Sequence, residues 1–349
     1  MKTALVGCGY WGTAIARTIS GLHELRLVSV YDRDSAVSEP LARLAGAVTA
    51  SSLDDALDRD PEAVIIATPP ETHYDLARRC LEAGKHVFVE KPFATSLEHA
   101  HALLHLADKN GLICLVDHTY VYSEPVKRLR EMLGREEFGE IVYVTSRRIN
   151  LGVFQYFTDV IWDLAVHDLA VIDYLCGLEI ERVQASGMKY DGFPNDAMAN
   201  ITLDLRNGIH ANLMVSWLSP VKVREMVIGG TDRMAVFDDT KSDKLLVYDK
   251  GVVLREKLDS NDLMRRMAEY RYGETAIPSL PNKPPLSAAL QHFAECVGTG
   301  SEPITGSDSI RSVMKALDVI SKSRESAASG DGRDGKGIER SARTDQGRA

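Results

Sequence analysis

Thr3-Ala4-Leu5-Val6-Gly7-Cys8-Gly9-Tyr10-Trp11-Gly12 decides the reading of the N-terminal part of this chain. An apolar run typical of a buried strand enters a G-x-G-x-x-G loop and leaves it as a helical pattern over Gly12–Ser20. Asp32 stands 20 residues beyond Gly12, at the end of the next apolar run, Leu25–Tyr31. That spacing lets a carboxylate reach the ribose of an adenosine, while the glycines admit a pyrophosphate to the helix N-terminus. A tight strand–helix turn with no ligand is the plainer alternative; strand, helix and carboxylate together favour dinucleotide binding. Asp32 repels a 2′-phosphate, which favours NAD over NADP. Arg33 would either compensate such a phosphate, stack on the adenine or stay solvated. The candidate cofactor residues here are Gly7, Gly9, Tyr10, Trp11, Gly12, Asp32 and Arg33.

Outward from the loop the same alternation continues. Ala63–Ala67, His86–Glu90 and Leu112–Asp117 read as further strands, separated by helical patterns at Pro40–Ala45, Leu53–Arg59, Thr72–Ala83 and Ser96–Lys109. Strand–helix alternation implies right-handed crossovers and a parallel, doubly wound sheet covered on both faces. After Asp117 the texture changes. Helical patterns at Ser123–Leu133 and Val160–Leu175 precede alternating segments at Ala197–Leu205, Ile209–Leu218, Val221–Ile228 and Arg233–Phe237, joined by short turns such as Arg206-Asn207-Gly208. These predict a large, mostly antiparallel open sheet, closed by helices at Leu286–Val297 and Ser307–Lys322. The expected domains are 1–118 (cofactor), 119–322 (substrate and oligomerisation, α+β) and a disordered tail, 323–349, too poor in large apolar residues to offset its ordering entropy.

Composition narrows the classes. The chain has 349 residues and a net charge of −9, with 41 basic against 50 acidic side chains, which does not suggest a nucleic-acid binder. No apolar run approaches the ~20 residues that span a bilayer, and the few residues before the glycines do not form a signal peptide. Five scattered cysteines with no C-x-x-C pair suit a cytoplasmic protein without a disulfide framework or structural zinc.

Two loops at strand C-terminal ends add chemistry, because such loops line the ligand crevice of an open parallel sheet. Thr68-Pro69-Pro70 with His73 forms a rigid wall or merely shapes a turn. Glu90-Lys91-Pro92 puts a lysine at the tip of a buried strand, where partial desolvation suits it to proton handling; an ordinary surface Lys–Glu pair is the alternative. His99, His101 and His105 fall on one helix, but no glutamate lies between the last two, so no metal is assigned.

The glycine fingerprint, the Thr-Pro-Pro segment with His73 and the Glu-Lys-Pro segment together resemble the glucose–fructose oxidoreductase/inositol dehydrogenase (Gfo/Idh/MocA) family, over about residues 1–322. The resemblance implies a Rossmann domain followed by a domain whose open sheet makes a homodimer or homotetramer. It implies that Thr68, Pro69, Pro70, His73, Glu90, Lys91 and Pro92 face the cofactor, that the Lys91–Pro92 peptide is cis, and that Lys91 contacts substrate. Asp163 and His167 look like the family's D-x-x-x-H element, with Ala165 in place of its usual glycine. The implied roles are His167 as general base, polarised by Asp163 and assisted by Lys91, without metal.

Ser146-Arg147-Arg148-Ile149-Asn150 with the Trp162–Asp168 stretch is similar to the nucleotide-sugar 3-dehydrogenase branch. Arg148, Asn150, Asp159 and His118 then become candidate substrate ligands with Lys91, Asp163 and His167. Adjacent strand residues point to opposite faces, so at most one of Arg147 and Arg148 faces inward. The activity implied is hydride transfer between NAD and a secondary alcohol of a sugar, foremost C3 of a nucleotide-linked sugar. A cyclitol, inosamine or free-sugar dehydrogenase is the second reading, and a catalytically silent dinucleotide-binding regulator the third.

Overall fold

The structure, a computed structural model, describes residues 1–135, 138–254 and 268–330. The N-terminal sheet holds β1 (Lys2–Val6), β2 (Arg26–Tyr31), β3 (Val48–Thr49), β4 (Ala63–Ile66), β5 (His86–Val89) and β6 (Cys114–Val116). All pairs are parallel, in the order β3-β2-β1-β4-β5-β6. Strands such as β4 are buried at every position, as parallel strands covered on both faces must be. Helices α1 (Tyr10–Ile19), α2 (Ser35–Ala45), α3 (Leu53–Asp58), α4 (His73–Glu82) and α5 (Leu97–Asn110) make the crossovers. Asp34, Ser52 and Ser96 cap α2, α3 and α5 by accepting from backbone N–H groups. The chain order reverses between β1 and β4, and the crevice opens there at the strand C-terminal ends.

Helix α6 (Glu124–Leu133) leads to β7 (Ile141–Leu151), a long central strand of the second sheet whose bounds carry no clear apolar alternation in the sequence. A π-helical turn (Ile161–Ala165) then runs into α7 (Val166–Cys176), where the sequence predicts one continuous helix. The remaining strands are β8 (Ile180–Lys189), β9 (Asp196–Leu205), β10 (His210–Ser216), β11 (Leu218–Gly230), β12 (Met234–Asp238), β13 (Leu245–Leu254) and β14 (Ala268–Ala276). The sheet order is β14-β13-β12-β11-β7-β10-β9-β8, antiparallel except for the β10–β7 pair. Gly208, at φ +85°, turns β9 into β10.

The last two helices bind the domains together. Helix α8 (Pro285–Thr299) sets Phe293 edge-on against Phe88 of β5, with ring centroids 5.6 Å apart. The Thr305 carbonyl accepts from Val116 N of β6 at 3.1 Å, and its hydroxyl donates to the Val116 carbonyl at 2.8 Å. Helix α9 (Ser307–Gly330) continues past the expected end at 322, which corrects the disordered assignment for 323–330. Arg324 pairs with the buried Asp196, and Ser323 donates to the Val183 carbonyl, so this stretch has partners on the second sheet. The rest of the expected tail, 331–349, lies outside the described residues.

Candidate active site

The glycine loop has room for a dinucleotide because its glycines do different things. Gly7 takes φ +95°, and a Cβ there would lie 2.5 Å from the Ala67 carbonyl oxygen. At Gly12 a Cβ would lie 2.0 Å from the Gly7 carbonyl oxygen. These two permit the close turn. Gly9 is different: nothing lies within 4 Å of its Cβ position, leaving open space above the start of α1. Tyr10 and Trp11 are exposed on the first turn of that helix. Asp32 accepts from Cys8 N at 2.7 Å and from Asp34 N at 3.0 Å, so its carboxylate orders the loop it was expected to serve. Open space at Gly9, free N–H groups at a helix N-terminus and an adjacent carboxylate fit an adenosine pyrophosphate.

Across the crevice, the Lys91–Pro92 peptide is cis, as the resemblance implies. Lys91 Nζ donates to Asp163 Oδ1 at 2.8 Å and to the Asp163 carbonyl at 3.1 Å. The other oxygen, Asp163 Oδ2, accepts from Trp217 Nε1 at 3.0 Å. Asp163 is therefore occupied by Lys91 and Trp217, which corrects its expected role as the partner that polarises His167. The physical reason is local: the π-turn changes the angular spacing between positions 163 and 167, so the two do not stack as i and i+4 of an α-helix would.

His167 is partly buried beside this pair, edge-on to Tyr120 with centroids 5.1 Å apart, and its Nδ1 is buried without a partner. Burial, reinforced by the charges of Lys91 and Arg148, pushes its pKa well below the ordinary histidine value. His167 is thus a neutral imidazole at neutral pH, the form that accepts a proton. His118 is buried as well and is pushed down to about 3 by burial and by Lys91.

Other candidates have structural duties. Arg148 does face inward while Arg147 is exposed, but its guanidinium is buried in a bidentate pair with Asp168 (2.8–3.2 Å) and lies 4.3 Å over the Tyr120 ring. Burial opposes its charge and the Asp168 carboxylate more than restores it. Arg148 Nε and Nη2 are thus spent on Asp168, a structural duty for a residue expected to bind substrate. His73 is fully buried, with ring nitrogens 2.9 Å from the Pro92 carbonyl and 2.8 Å from the Thr68 carbonyl. It staples the two crevice walls together from behind instead of facing the cofactor. Glu90 is likewise buried beneath the wall, beside Asp117, and does not reach the crevice surface.

Asp159 Oδ1 caps the π-turn by accepting from Ile161 N and Trp162 N (2.9 and 3.0 Å), which leaves at most its second oxygen for a ligand. The residue nevertheless lines a cavity of about 240 Å³ at the crevice mouth, with Pro70, Pro92, Thr95, Phe157 and Asn195 among its walls. Asn150 is half-buried, its amide over Gly152 and next to Trp217. Thr68 accepts from the Thr72 hydroxyl at 2.7 Å and holds the Pro69–Pro70 turn. Sequence reasoning missed Tyr120, Trp217 and Asn195. An aromatic residue in a strand or short turn reads as core, and Trp217 is indeed buried. Asn195 clamps the crevice-mouth loop by donating to the carbonyls of Gln155, Tyr156 and Thr158 at 2.9–3.0 Å. His99 stacks on Tyr74 with centroids 4.0 Å apart, and among the described residues no group of three potential ligands gathers to hold a metal ion.

A glycine-loop Rossmann sheet facing a Lys–Asp pair and a neutral histidine on a second, open-sheet domain defines a class of nicotinamide-linked oxidoreductases. Residues 1–118 match the oxidoreductase family with NAD-binding Rossmann fold, and residues 126–236 match the GFO/IDH/MocA C-terminal domain; the chain belongs to this family. It is 31% identical over 256 residues to UDP-N-acetylglucosamine 3-dehydrogenase of Acidithiobacillus ferrooxidans, covering 72% of this chain and 78% of that one. It is 27% identical over 321 residues to scyllo-inositol 2-dehydrogenase (NAD(+)) of Bacillus subtilis, covering 87% and 88%. The solved structure of the Acidithiobacillus ferrooxidans enzyme superposes with a TM-score of 0.78 at 25% identity, covering 93% of this chain and 98% of that chain.

Proposed function

We propose that the chain is an NAD-dependent dehydrogenase that oxidises a secondary hydroxyl of a sugar, at C3 of a nucleotide-linked sugar. The observation that carries the reading is the Lys91 ammonium fixed 2.8 Å from Asp163 Oδ1 beside the neutral His167 at the C-terminal end of β5. NAD, when bound, accepts the hydride. Everything else falls to side chains of this chain. Lys91 donates to the substrate oxygen and stabilises the charge that grows there as the proton leaves. His167 takes that proton, and Asp163, fixed by Trp217, holds Lys91 at the reacting hydroxyl. In ketone reduction the same groups act with protonation states exchanged.

The likeness to UDP-N-acetylglucosamine 3-dehydrogenase supports the nucleotide-sugar choice, and the likeness to scyllo-inositol 2-dehydrogenase (NAD(+)) keeps a cyclitol as the second reading. A panel of UDP-sugars, inositols and free sugars, followed by NADH absorbance, separates them. Turnover of UDP-linked sugars is expected; turnover of inositols alone establishes the second reading, and no turnover on any of them favours the silent regulator.

Five free cysteines support a cytoplasmic setting. Among the described residues no helix is long and apolar enough to cross a membrane. The outer sheet surface, with Tyr270 and Tyr272 exposed side by side on β14, supports pairing of two copies through the second domain. Sedimentation of the purified protein reads that directly.

A further inference from the structure

Glu90 and Asp117 occupy equivalent places one residue beyond β5 and β6. Val89 and Val116 are partners in the parallel register, and Asp117 N donates to the Val89 carbonyl at 2.8 Å. Residues in register on neighbouring strands, about 4.8 Å apart, point to the same face. Two acidic side chains therefore lie side by side, at 6% and 1% exposure, directly beneath the Lys91–Pro92 turn.

Their four oxygens are unequally served. Glu90 Oε2 accepts from Lys91 N at 3.3 Å, and Asp117 Oδ1 accepts from the Thr119 hydroxyl at 2.9 Å. Glu90 Oε1 and Asp117 Oδ2 are buried with no donor. An ionised carboxylate only accepts, so two charged acids in this position would repel each other while leaving both oxygens unsatisfied. A single proton between them removes both defects. Protonated on one side, the pair has a donor for the facing oxygen and keeps one negative charge.

We propose that Glu90 and Asp117 share one proton, and that the single charge they retain holds the Lys91 ammonium in place at the crevice, making both of them positioning residues. Burial, then the Asp117 charge, raises the Glu90 carboxyl well above the usual range, and burial raises Asp117. Lys91 is the charged group that faces the pair from β5. The neighbouring titratable groups, His118 after β6 and His73 on α4, are buried and pushed towards the neutral form. From the second domain, Asp163 and His167 approach Lys91 itself. The positioning half rests on the assignment of Lys91 to the reaction; the shared proton does not.

Infrared spectroscopy of the full chain at pH 7, compared in H₂O and D₂O, tests the proton without any substrate. A carboxylic-acid carbonyl band is expected in the wild type and is lost in both Glu90→Gln and Asp117→Asn, each of which leaves one carboxylate beside an amide donor. Absence of the band, or its survival in both variants as the signature of some other acid, overturns the proposal. The positioning half is read from the pH profile of kcat/KM. Either single amide variant keeps one negative charge and the alkaline limb stays put. In the double variant the limb drops by about one pH unit, the lower end of what removing a nearby opposite charge does. Should that variant not fold, Glu90→Met with Asp117→Leu serves instead, because apolar replacements need no buried partner. An unmoved limb in a folded double variant overturns the positioning role. Should no substrate turn over, the functional reading fails while the infrared result still decides the shared proton.

Discussion

Lys91 depends on Asp163, and Asp163 in turn depends on Trp217, whose indole N–H is its second donor at 3.0 Å. Trp217→Phe keeps the ring and removes that donor. A hydrogen bond to a charged group is worth about 1.5–3 kcal/mol, so kcat is expected to fall about tenfold or more while NADH affinity is unchanged. Fluorescence titration with NADH and steady-state kinetics on the same preparation check it; equal losses in cofactor affinity and kcat would show that Trp217 shapes the cofactor site instead. Arg148 illustrates the opposite kind of residue. Its buried pair with Asp168 is structural, and Arg148→Ala strands a buried carboxylate, a change that typically costs about 3–5 kcal/mol. Denaturant melts should register that loss. The place of Lys91 at the crevice was legible from its position at a strand tip, and the gathering of Asp163 and His167 beside it from the family pattern. Their connections were not, because a π-turn leaves no periodic signal and an indole donor looks like core.

At the level of elements, the strand–loop–helix unit at the N-terminus makes a sharper statement than its motif does. Gly12→Ala drives a methyl into a backbone carbonyl 2.0 Å away, which cannot rotate aside. The variant is expected to lower Tm and abolish NADH binding together. Gly9→Ala meets no protein atom within 4 Å and keeps an ordinary negative φ of −68°, so its fold and Tm should match the wild type. Its methyl would instead fill the space open to a pyrophosphate, and NADH affinity should drop at least about tenfold, as a lost close approach of backbone to phosphate implies. Thermal melts and NADH titration on the pair separate the two duties of the motif; a Gly9→Ala protein with normal affinity would move the cofactor elsewhere. Parallel strands were easy to read because they are dominated by apolar runs, unbroken in β4. Strand β7 was not, since its inward positions include Ser146 and Arg148, polar residues satisfied only by partners far away in sequence. The two-residue β3 is too short to carry a pattern, and α9 outruns its apolar signal because Arg324 is held by Asp196.

Across the whole molecule, the crevice between domains concentrates groups kept in the form that burial prefers, and this sets how the fold responds to acid. His73, His118 and His167 are all pushed down by burial. For His118 the folded value is about 3 against an ordinary 6.5, so below pH 6.5 the unfolded chain binds a proton that the folded chain refuses. Stability from this group is complete above that pH and is lost as the pH falls towards 3, with a slope of about 1.4 kcal/mol per pH unit. Glu90 carries the opposite sign: its raised carboxyl keeps a proton in the folded state that the unfolded chain takes up only near 4.5, which favours folding as the pH falls. Taken alone, His118 weakens the fold from pH 6.5 downward, while the carboxyls of Glu90, Asp117, Asp159 and Asp173, all raised by burial, pull the other way. Urea denaturation at intervals between pH 7 and pH 5 measures the slope. His118→Asn should flatten it by about one proton, roughly 1.4 kcal/mol per pH unit, since an amide has nothing to titrate. An unchanged slope in that variant would mean that His118 is already charged in the folded protein, and the electrostatic account of the crevice would have to be rebuilt around a second cation beside Lys91.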